Sequence, residues 1–319
     1  MVTTGRSPSA TRGGGFRLAA GLTLAAGLAL AGCSSPPYPT FTAAPADITV
    51  AAGFYPLQFV AERVGGSRVE VLELAPPGIE PHDLELSPSA VRGVRSSDVV
   101  LYLAGFQPAV DDAIASTGAN ALDASASVSL RPVSGGADDG VDGALDPHFW
   151  LDPTLLATYA GAVGAQFASL DPDHAAEYLA NAEALGGELA ALDASYSTGL
   201  ANCPHSTILV SHDAFGSLAA RYSLTQVGLS GLDPEAEPTP FRIRQMRAVA
   251  RESGATTIFI EPLVDASVVE AFAADADLAV ATLDPVESLD TVGVSGEPEP
   301  DYLTIMMRNL STLEAGLGC

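Results

Sequence analysis

The sequence predicts an α/β protein in two halves, each with a mostly parallel sheet flanked by helices, and one long helix between them. Three observations predict this fold. Short apolar segments alternate with helix-forming segments in both halves, the order that builds parallel sheets with right-handed crossovers. A proline-free segment rich in Ala, Leu and Glu separates the halves at residues 173–200. Polar residues directly follow several predicted strands, where open α/β sheets bind ligands.

In the first half, strand and helix signals alternate from residue 48 onward. Residues 68–74 alternate polar and apolar side chains, as a half-buried strand does. Ser87 followed by Pro88 predicts a helix start, because serine caps the first turn and proline fits within it. The predicted elements are strands at 48–51, 68–74 and 99–103, and helices at 55–64, from 87 onward and at 153–170.

The segment at 173–200 and the second half continue the pattern. A helix of that length would extend on the order of 40 Å, enough to run along both halves. After it, apolar strand signals again alternate with helix signals. The predicted elements are strands at 207–210, 226–229, 256–260 and 278–282, and helices at 239–253 and 302–317.

The N-terminus predicts export and lipid attachment. Three arginines precede an apolar run at residues 18–30, which has about the length of the apolar region of a signal peptide and is too short to span a bilayer comfortably. Small residues then precede Cys33, an order similar to a bacterial lipobox. We expect residues 1–32 to be a signal peptide, Cys33 to carry acyl chains that anchor the chain to the membrane, and residues 33–46 to form a tether. An ordinary secretory signal with an incidental cysteine is the alternative.

Charge and composition disfavour one large class of function. The formal net charge is −25 and all 14 basic residues are arginines without a basic stripe, so nucleic-acid binding is not expected. The acidic surface either concentrates cations near a site or reflects composition alone. Residues 134–146 are rich in Gly and Asp but lack the order of a calcium-binding loop, so we expect an exposed loop there.

Two cysteines remain once Cys33 is set aside: Cys203 and the last residue, Cys319. In an exported chain, such a pair suggests a disulfide. Closing so long a loop would stabilise the fold by roughly 4 kcal/mol in the chain-entropy model. Neither cysteine belongs to a Cys-x-x-Cys pair, so a thiolate metal site is not expected.

Three of the five histidines share one kind of local context, in which a strand or loop gives way to a helix. They are His82, His148 and His212, and Asp284 follows a predicted strand in a fourth such place. Imidazole is the commonest metal ligand, and strand ends of this kind hold ligands in α/β folds. We therefore predict one metal site built from these four side chains.

Three imidazoles and a carboxylate suit a tetrahedral divalent ion, above all Zn²⁺, with Mn²⁺ as the alternative. Glu261 directly follows a predicted strand, and Glu80 lies two residues before His82. Each is expected either to reach the metal as a further ligand or to orient a ligating histidine. His174 and His205 lack the shared context and are expected to take no part.

At these motifs the chain resembles a known family, the bacterial ABC-transporter solute-binding lipoproteins for zinc and manganese. The resemblance runs from about residue 49 to the last residue. Its marks are Glu80-Pro81-His82, Pro147-His148-Phe149-Trp150-Leu151-Asp152-Pro153, Ser211-His212-Asp213-Ala214-Phe215-Gly216, the segment 231–238, Ile260-Glu261-Pro262, Leu283-Asp284-Pro285, and Tyr302-Leu303 with Met307-Arg308-Asn309-Leu310.

The resemblance implies two α/β lobes joined by one long rigid linker helix, with the metal held between the lobes. On this sequence the lobes would be residues 47–172 and 201–319, and the linker helix residues 173–200. The first lobe would supply His82 and His148.

The second lobe would supply His212 and Asp284. In the family, a histidine at the third ligand position goes with zinc and a glutamate with manganese, so His212 favours the zinc-uptake type. Many zinc-specific members carry a long His-rich loop before the second histidine. Here the corresponding segment is short and acidic, which leaves the selectivity less firmly implied.

The function implied is that of an extracytoplasmic, monomeric receptor, not an enzyme, which captures Zn²⁺ and hands it to an ABC permease and its ATPase. A manganese-specific binding protein and a metal-binding surface adhesin are the alternatives. A zinc hydrolase is disfavoured, because a fourth protein ligand would fill the position that catalytic zinc keeps open. The chain also lacks His-Glu-x-x-His and Gly-x-Ser-x-Gly motifs.

Overall fold

The structure is a computed structural model that describes residues 46–133, 144–263, 265–289 and 300–319. These residues belong to one unit, Pro45–Cys319. The predicted signal peptide, Cys33 and all of the tether except residue 46 lie outside the described residues, as do residues 134–143 of the predicted acidic loop. No helix in the described ranges combines the length and apolarity needed to cross a bilayer.

A four-stranded parallel sheet organises the first half, as predicted. Its strands are β1 (Ile48–Ala52), β2 (Val69–Glu73), β3 (Val99–Tyr102) and β4 (Ala121–Asp123), in the spatial order β2-β1-β3-β4. Its helices are α1 (Tyr55–Gly65), α2 (Pro88–Ser96) and α3 (Pro108–Thr117). Ser87 Oγ accepts a hydrogen bond from the Ala90 N–H at 3.2 Å, so the predicted cap does start α2. Strand β4 was not predicted, because three residues are too few to show a period.

A short antiparallel hairpin follows, made of β5 (Arg131–Pro132) and β6 (Leu145–Asp146). The Val133 N–H donates to the Ala144 carbonyl at 3.0 Å, which extends the pairing by one step. The C-terminal boundary of the predicted exposed loop is therefore wrong, because its last residue, Asp146, is only 4% exposed. Helix α4 (Pro153–Leu170) begins where the Asp152 carboxylate accepts from the Thr154 N–H at 2.9 Å.

The long helix between the halves is α5 (Ala175–Gly199), preceded by a 3₁₀ turn at Pro172–His174. It packs along α4 and also contacts α1. Near its start, Asn181 Nδ2 donates to the Val64 carbonyl at 2.9 Å, and near its end the Tyr196 hydroxyl donates to the Met306 carbonyl at 2.6 Å. Since Val64 belongs to the first half and Met306 to the second, α5 bonds to both halves.

A second four-stranded parallel sheet organises the second half. Its strands are β7 (Thr207–Val210), β8 (Thr225–Gly228), β9 (Thr257–Ile260) and β10 (Ala279–Thr282), in the order β10-β9-β7-β8. Its helices are α6 (Gly216–Arg221), α7 (Pro240–Ser253), α8 (Ser267–Ala276) and α9 (Tyr302–Leu317). The four strands lie within one residue of their predicted bounds, and the sequence analysis missed α3, α6 and α8.

The buried core joins the two halves. One continuous cluster of buried apolar side chains includes residues of the first sheet, α4, α5, β7 and α9, and a smaller cluster lies between the second sheet and its helices α7 and α8. A disulfide joins Cys203, just after α5, to Cys319, just after α9. The predicted disulfide is thus confirmed, and it ties the C-terminal helix to the end of the long helix.

Candidate metal centre

Four side chains from four separate segments converge at one point: His82, His148, His212 and Glu287. Each offers one ligand atom, and these atoms all lie within 4.8 Å of one another. Glu287 Oε1 lies 3.0 Å from His148 Nε2, and 3.7 Å from Nε2 of both His82 and His212. Three imidazole nitrogens and one carboxylate oxygen form the donor set of a four-coordinate zinc site.

The topology of the second sheet explains part of this convergence. His212 lies two residues after β7, and Glu261 directly follows β9. These two strands are neighbours at the point where the strand order of the sheet reverses. Open α/β sheets bind their ligands at this point, because adjacent loops there turn in opposite directions and leave a crevice.

The cluster is shielded from water. The side chains of His148 and His212 are 0% exposed, that of Glu287 is 6% exposed and that of His82 is 14% exposed. Glu287 Oε1 and all three Nε2 atoms are buried without a hydrogen-bond partner of acceptable geometry. A buried polar atom without a partner costs roughly 1–3 kcal/mol, so four of them facing each other require an explanation. A single cation among them would satisfy all four.

Carboxylates hold two of the histidines from behind. Asp146 Oδ1 lies 2.7 Å from His148 Nδ1, and Glu261 Oε1 lies 2.6 Å from His212 Nδ1. The Ser211 hydroxyl donates to the same Glu261 oxygen. When Nδ1 donates its proton to a carboxylate, Nε2 is left with its lone pair toward the metal, and the ring cannot rotate freely. Asp146 was not predicted as a site residue, although it lies two residues before His148, as Glu80 lies two residues before His82.

These contacts perturb the pKa values of the metal-free cluster. Burial would lower the pKa of His148, but Asp146 and Glu287 outweigh it and raise that pKa to about 9. Burial likewise opposes Glu261 and Glu287, which together raise the pKa of His212 to about 10. Burial would raise the pKa of Glu287, yet the facing imidazoles hold it well below its ordinary value. A metal ion must therefore displace protons from these imidazoles in order to bind.

Glu80 lies beside the cluster without joining it. Its Oε2 accepts a hydrogen bond from the His82 N–H at 3.0 Å and so fixes the backbone of that loop. Burial, followed by the charge of Glu287, raises the pKa of Glu80 to about 8. Of the two roles that the sequence left open for Glu80 and Glu261, the contacts favour orientation of a histidine over metal ligation.

The fourth member of the cluster differs from the sequence prediction, which named Asp284. Asp284 Oδ1 instead accepts a hydrogen bond from the Val286 N–H at 2.7 Å, and the Asn309 side chain bonds both the N–H and the carbonyl of Asp284. Asp284 thereby shapes a tight turn. The turn carries the chain three residues further, so that the carboxylate of Glu287 enters the cluster. The pattern alone could have named Glu287 as an alternative, since it is the next acidic residue after the strand.

Val286 makes the turn unusual. Its φ of 57° lies in the left-handed region, which is strained for a β-branched residue, and its side chain is 0% exposed. Two contacts hold the turn: Trp150 Nε1 donates to the Pro285 carbonyl at 2.8 Å, and the Gly78 N–H is 3.1 Å from Ser288 Oγ. Because Trp150 and Gly78 belong to the first half, both halves together fix the position of Glu287.

The two carboxylates behind the histidines provide a test of this geometry. We expect Asp146→Ala and Glu261→Ala each to lower zinc affinity by roughly 10- to 100-fold, because each removes the group that orients a ligand. Competition with a chromophoric chelator measures the change, and Glu70→Ala, at an exposed position of β2, serves as the matched control. Unchanged affinity in both variants would show that the carboxylates are not needed to hold the rings.

The remaining histidines lie elsewhere, as expected. His205 lies near Gly254 and Gly318. His174 Nδ1 is 2.6 Å from Asp171 Oδ2 and 3.9 Å from Asp47 Oδ2, so these three residues form a second, more exposed group of metal-ligand side chains. The Arg68 guanidinium already bonds that Asp47 oxygen at 3.0 Å, which supplies the positive charge there.

Two α/β lobes bonded to one long helix, with a buried site of three nitrogens and one oxygen between them, form the architecture of the two-lobed solute-binding class. The chain belongs to the ZnuA family: the model described as "Zinc-uptake complex component A periplasmic" matches residues 50–316. The family is one of receptors and not of enzymes, and its description as periplasmic agrees with the predicted export.

Individual relatives agree with this placement. "Zinc-binding lipoprotein AdcA" of Streptococcus pneumoniae is 27% identical over 283 residues, which cover 85% of this chain and 56% of that protein. "High-affinity zinc uptake system protein ZnuA" of Bacillus subtilis is 26% identical over 282 residues, which cover 84% of this chain and 87% of that protein. The chain therefore spans about half the length of the AdcA relative and most of the Bacillus one.

A solved structure shows the same architecture. The laminin-binding protein Lmb of Streptococcus agalactiae is described as "a bifunctional protein with adhesin and metal transporting activity". It matches with a TM-score of 0.74 at 27% identity, over 85% of this chain and 99% of that one.

Proposed function

We propose that this chain is the receptor of an ABC importer, which captures Zn²⁺ outside the cell membrane between its two lobes and delivers it to the permease and its ATPase. His82, His148, His212 and Glu287 would be the ligands. The observation that carries the proposal is the set of four buried ligand atoms that lack partners within one cluster. The names of the AdcA and ZnuA relatives, both of which specify zinc, support it.

The donor set supports zinc over manganese. Nitrogen-rich ligation suits Zn²⁺, whereas Mn²⁺ favours carboxylate, carbonyl and water oxygens. A manganese site would need further oxygens, yet Glu261 already accepts from Ser211 and His212 through one oxygen. Four protein ligands would also leave no open position for a metal-bound water, which argues against hydrolysis.

Hydrogen bonds between the two lobes support a receptor whose lobes change their relative arrangement little when zinc binds. Trp150 of the first lobe bonds the Pro285 carbonyl, and the Tyr302 hydroxyl bonds the Trp150 carbonyl at 2.5 Å. The Gly78 N–H also donates to the Leu289 carbonyl at 2.8 Å. We infer that zinc rearranges the loops that carry its ligands and does not close a wide hinge, and that the permease recognises this local change.

The remaining parts of the proposal concern the whole protein. Residues 1–32 would be a signal peptide, Cys33 the lipid anchor on the outer face of the membrane, and residues 33–46 the tether. Residues 47–172 and 201–319 would be the two lobes, joined by the helical segment 173–200. The receptor would act as a monomer and bind no nucleic acid.

Competitive metal titration of residues 34–319 tests the proposal. We expect Zn²⁺ to bind in preference to Mn²⁺ at equal free-ion activity, and His212→Glu to narrow that preference, because it exchanges a nitrogen donor for oxygen. Equilibrium dialysis with elemental analysis measures both occupancies. A parent chain that selects Mn²⁺ would contradict the zinc assignment and favour the manganese receptor.

A second candidate function is adhesion, which the likeness to the Lmb structure favours. The metal site would remain in that case. Binding of the zinc-loaded chain to immobilised laminin, compared with the metal-free chain, decides whether the surface has this property.

A further inference from the structure

A small cavity borders Glu287, one of the four clustered residues. The cavity has a volume of about 20 Å³, room for about one water molecule. The carboxyl-bearing residues Glu80, Glu261, Asp284 and Glu287 all line it. Glu287, whose Oε1 has no hydrogen-bond partner and which is 5% exposed, is therefore a member of the cluster that borders this cavity.

A larger groove lies beside this cavity. The groove has a volume of about 360 Å³ and lies between the segment 234–238 and the start of α8. Pro234 and Leu263 line both the cavity and the groove. Pro234 is buried, whereas Leu263 is 37% exposed, so Leu263 is the more accessible of the two residues that separate cavity from groove.

Aromatic rings enclose other sides of the cluster. The Phe106 ring centroid lies 4.6 Å from that of His82, and the Trp150 ring centroid lies 5.2 Å from that of His148. Phe106 is 6% exposed and Trp150 is 0% exposed. An ion that approached from these sides would have to displace packed apolar side chains, whereas the cavity offers acidic groups.

We propose that Zn²⁺ enters and leaves through this cavity, between Pro234 and Leu263, and that Leu263 sets the rate of exchange. The inference rests on the proposed function and concerns the route of the ion, not its ligands. Glu261 and Asp284 supply negative charge along the route, which attracts a cation, and their oxygens replace part of its water shell as it advances. Leu263 lines both the cavity and the groove and is not one of the four clustered residues.

Exchange kinetics of two opposite substitutions test the route. Leu263→Trp should slow zinc association and dissociation by the same factor, on the order of tenfold, because a barrier on the path leaves both end states unchanged. Leu263→Ala should accelerate both rates, and in each variant the Kd should equal that of the parent. Stopped-flow mixing gives the association rate, and release to excess chelator gives the dissociation rate.

Ile79→Trp is the matched control. Ile79 is an exposed aliphatic residue, 46% exposed, on the segment that carries His82, and it does not line the cavity. We expect parental rates from it. Parental rates in both Leu263 variants would overturn the proposed route. Slower exchange in Ile79→Trp alone would also overturn it and would favour a route beside His82. A change in dissociation alone, with altered Kd, would also overturn it, because Leu263 would then act on the bound state. A parent chain that binds no zinc would remove the proposed function itself.

Discussion

Glu287→Ala is expected to lower zinc affinity by more than about 100-fold. Loss of a residue that only hydrogen-bonds to a metal ligand lowers affinity by roughly 10- to 100-fold, and loss of a ligand itself should cost more. The same substitution removes the only carboxylate in the four-residue cluster, leaving three imidazoles that repel one another when protonated. Chelator competition measures the affinity. The single tryptophan, Trp150, packs against His148 at 5.2 Å between ring centroids, so its fluorescence offers a second readout.

Asp284→Asn is the matched variant. Comparing its zinc affinity with that of Glu287→Ala tests whether Glu287 or Asp284, the residue predicted from the sequence, is the fourth ligand. Asparagine keeps an oxygen that can accept from the Val286 N–H, so the turn should persist and the affinity should change by a few-fold at most. The opposite ranking, with Asp284→Asn the more damaging of the two, would show that Asp284 is the ligand and that the loop rearranges around the ion. Circular dichroism of both variants checks that the fold is retained.

The second large effect concerns stability. Replacing Cys203 and Cys319 together by serine should lower the free energy of unfolding by about 4–5 kcal/mol, since the disulfide closes a loop with a sequence separation of 116. Urea unfolding of the metal-free chain measures the shift. Zinc affinity should remain close to that of the parent, because neither cysteine belongs to the ligand cluster.

Reductant provides the internal control for this prediction. It should lower the free energy of unfolding of the parent to near that of the double serine variant, and it should leave the free energy of unfolding of the variant unchanged. Equal unfolding midpoints of parent and variant under oxidising conditions would mean that the cross-link constrains the unfolded chain less than its length predicts, through residual structure.

Local signals were sufficient for most of the fold and for three of the four clustered side chains. His82, His148 and His212 were predictable because each stands where a strand or loop leads into a helix, and such positions meet at one edge of a parallel sheet. The strands of the second half were also predictable, because each is an uninterrupted apolar run between polar turns.

For Glu287 and Asp146, the sequence offers the residues as candidates but does not give the positions of their side chains. The direction of Glu287 depends on a turn that needs a left-handed valine and hydrogen bonds from distant Trp150 and Gly78. Asp146 sits at the end of an acidic, glycine-rich stretch, and its burial depends on a two-residue strand that no periodicity reveals. In both cases the position of the side chain follows from long-range contacts and not from its neighbours in sequence.

The hairpin of β5 and β6 has a practical consequence. Its two strands pair on either side of residues 134–143. Asp146, the last residue of the second strand, contacts the His148 ring. Foreign peptides inserted within 134–143 should therefore leave zinc capture intact, provided that the paired residues remain. This site would suit a fluorescent label or an affinity tag, and relatives could diversify the same stretch in length and composition without retuning their metal affinity.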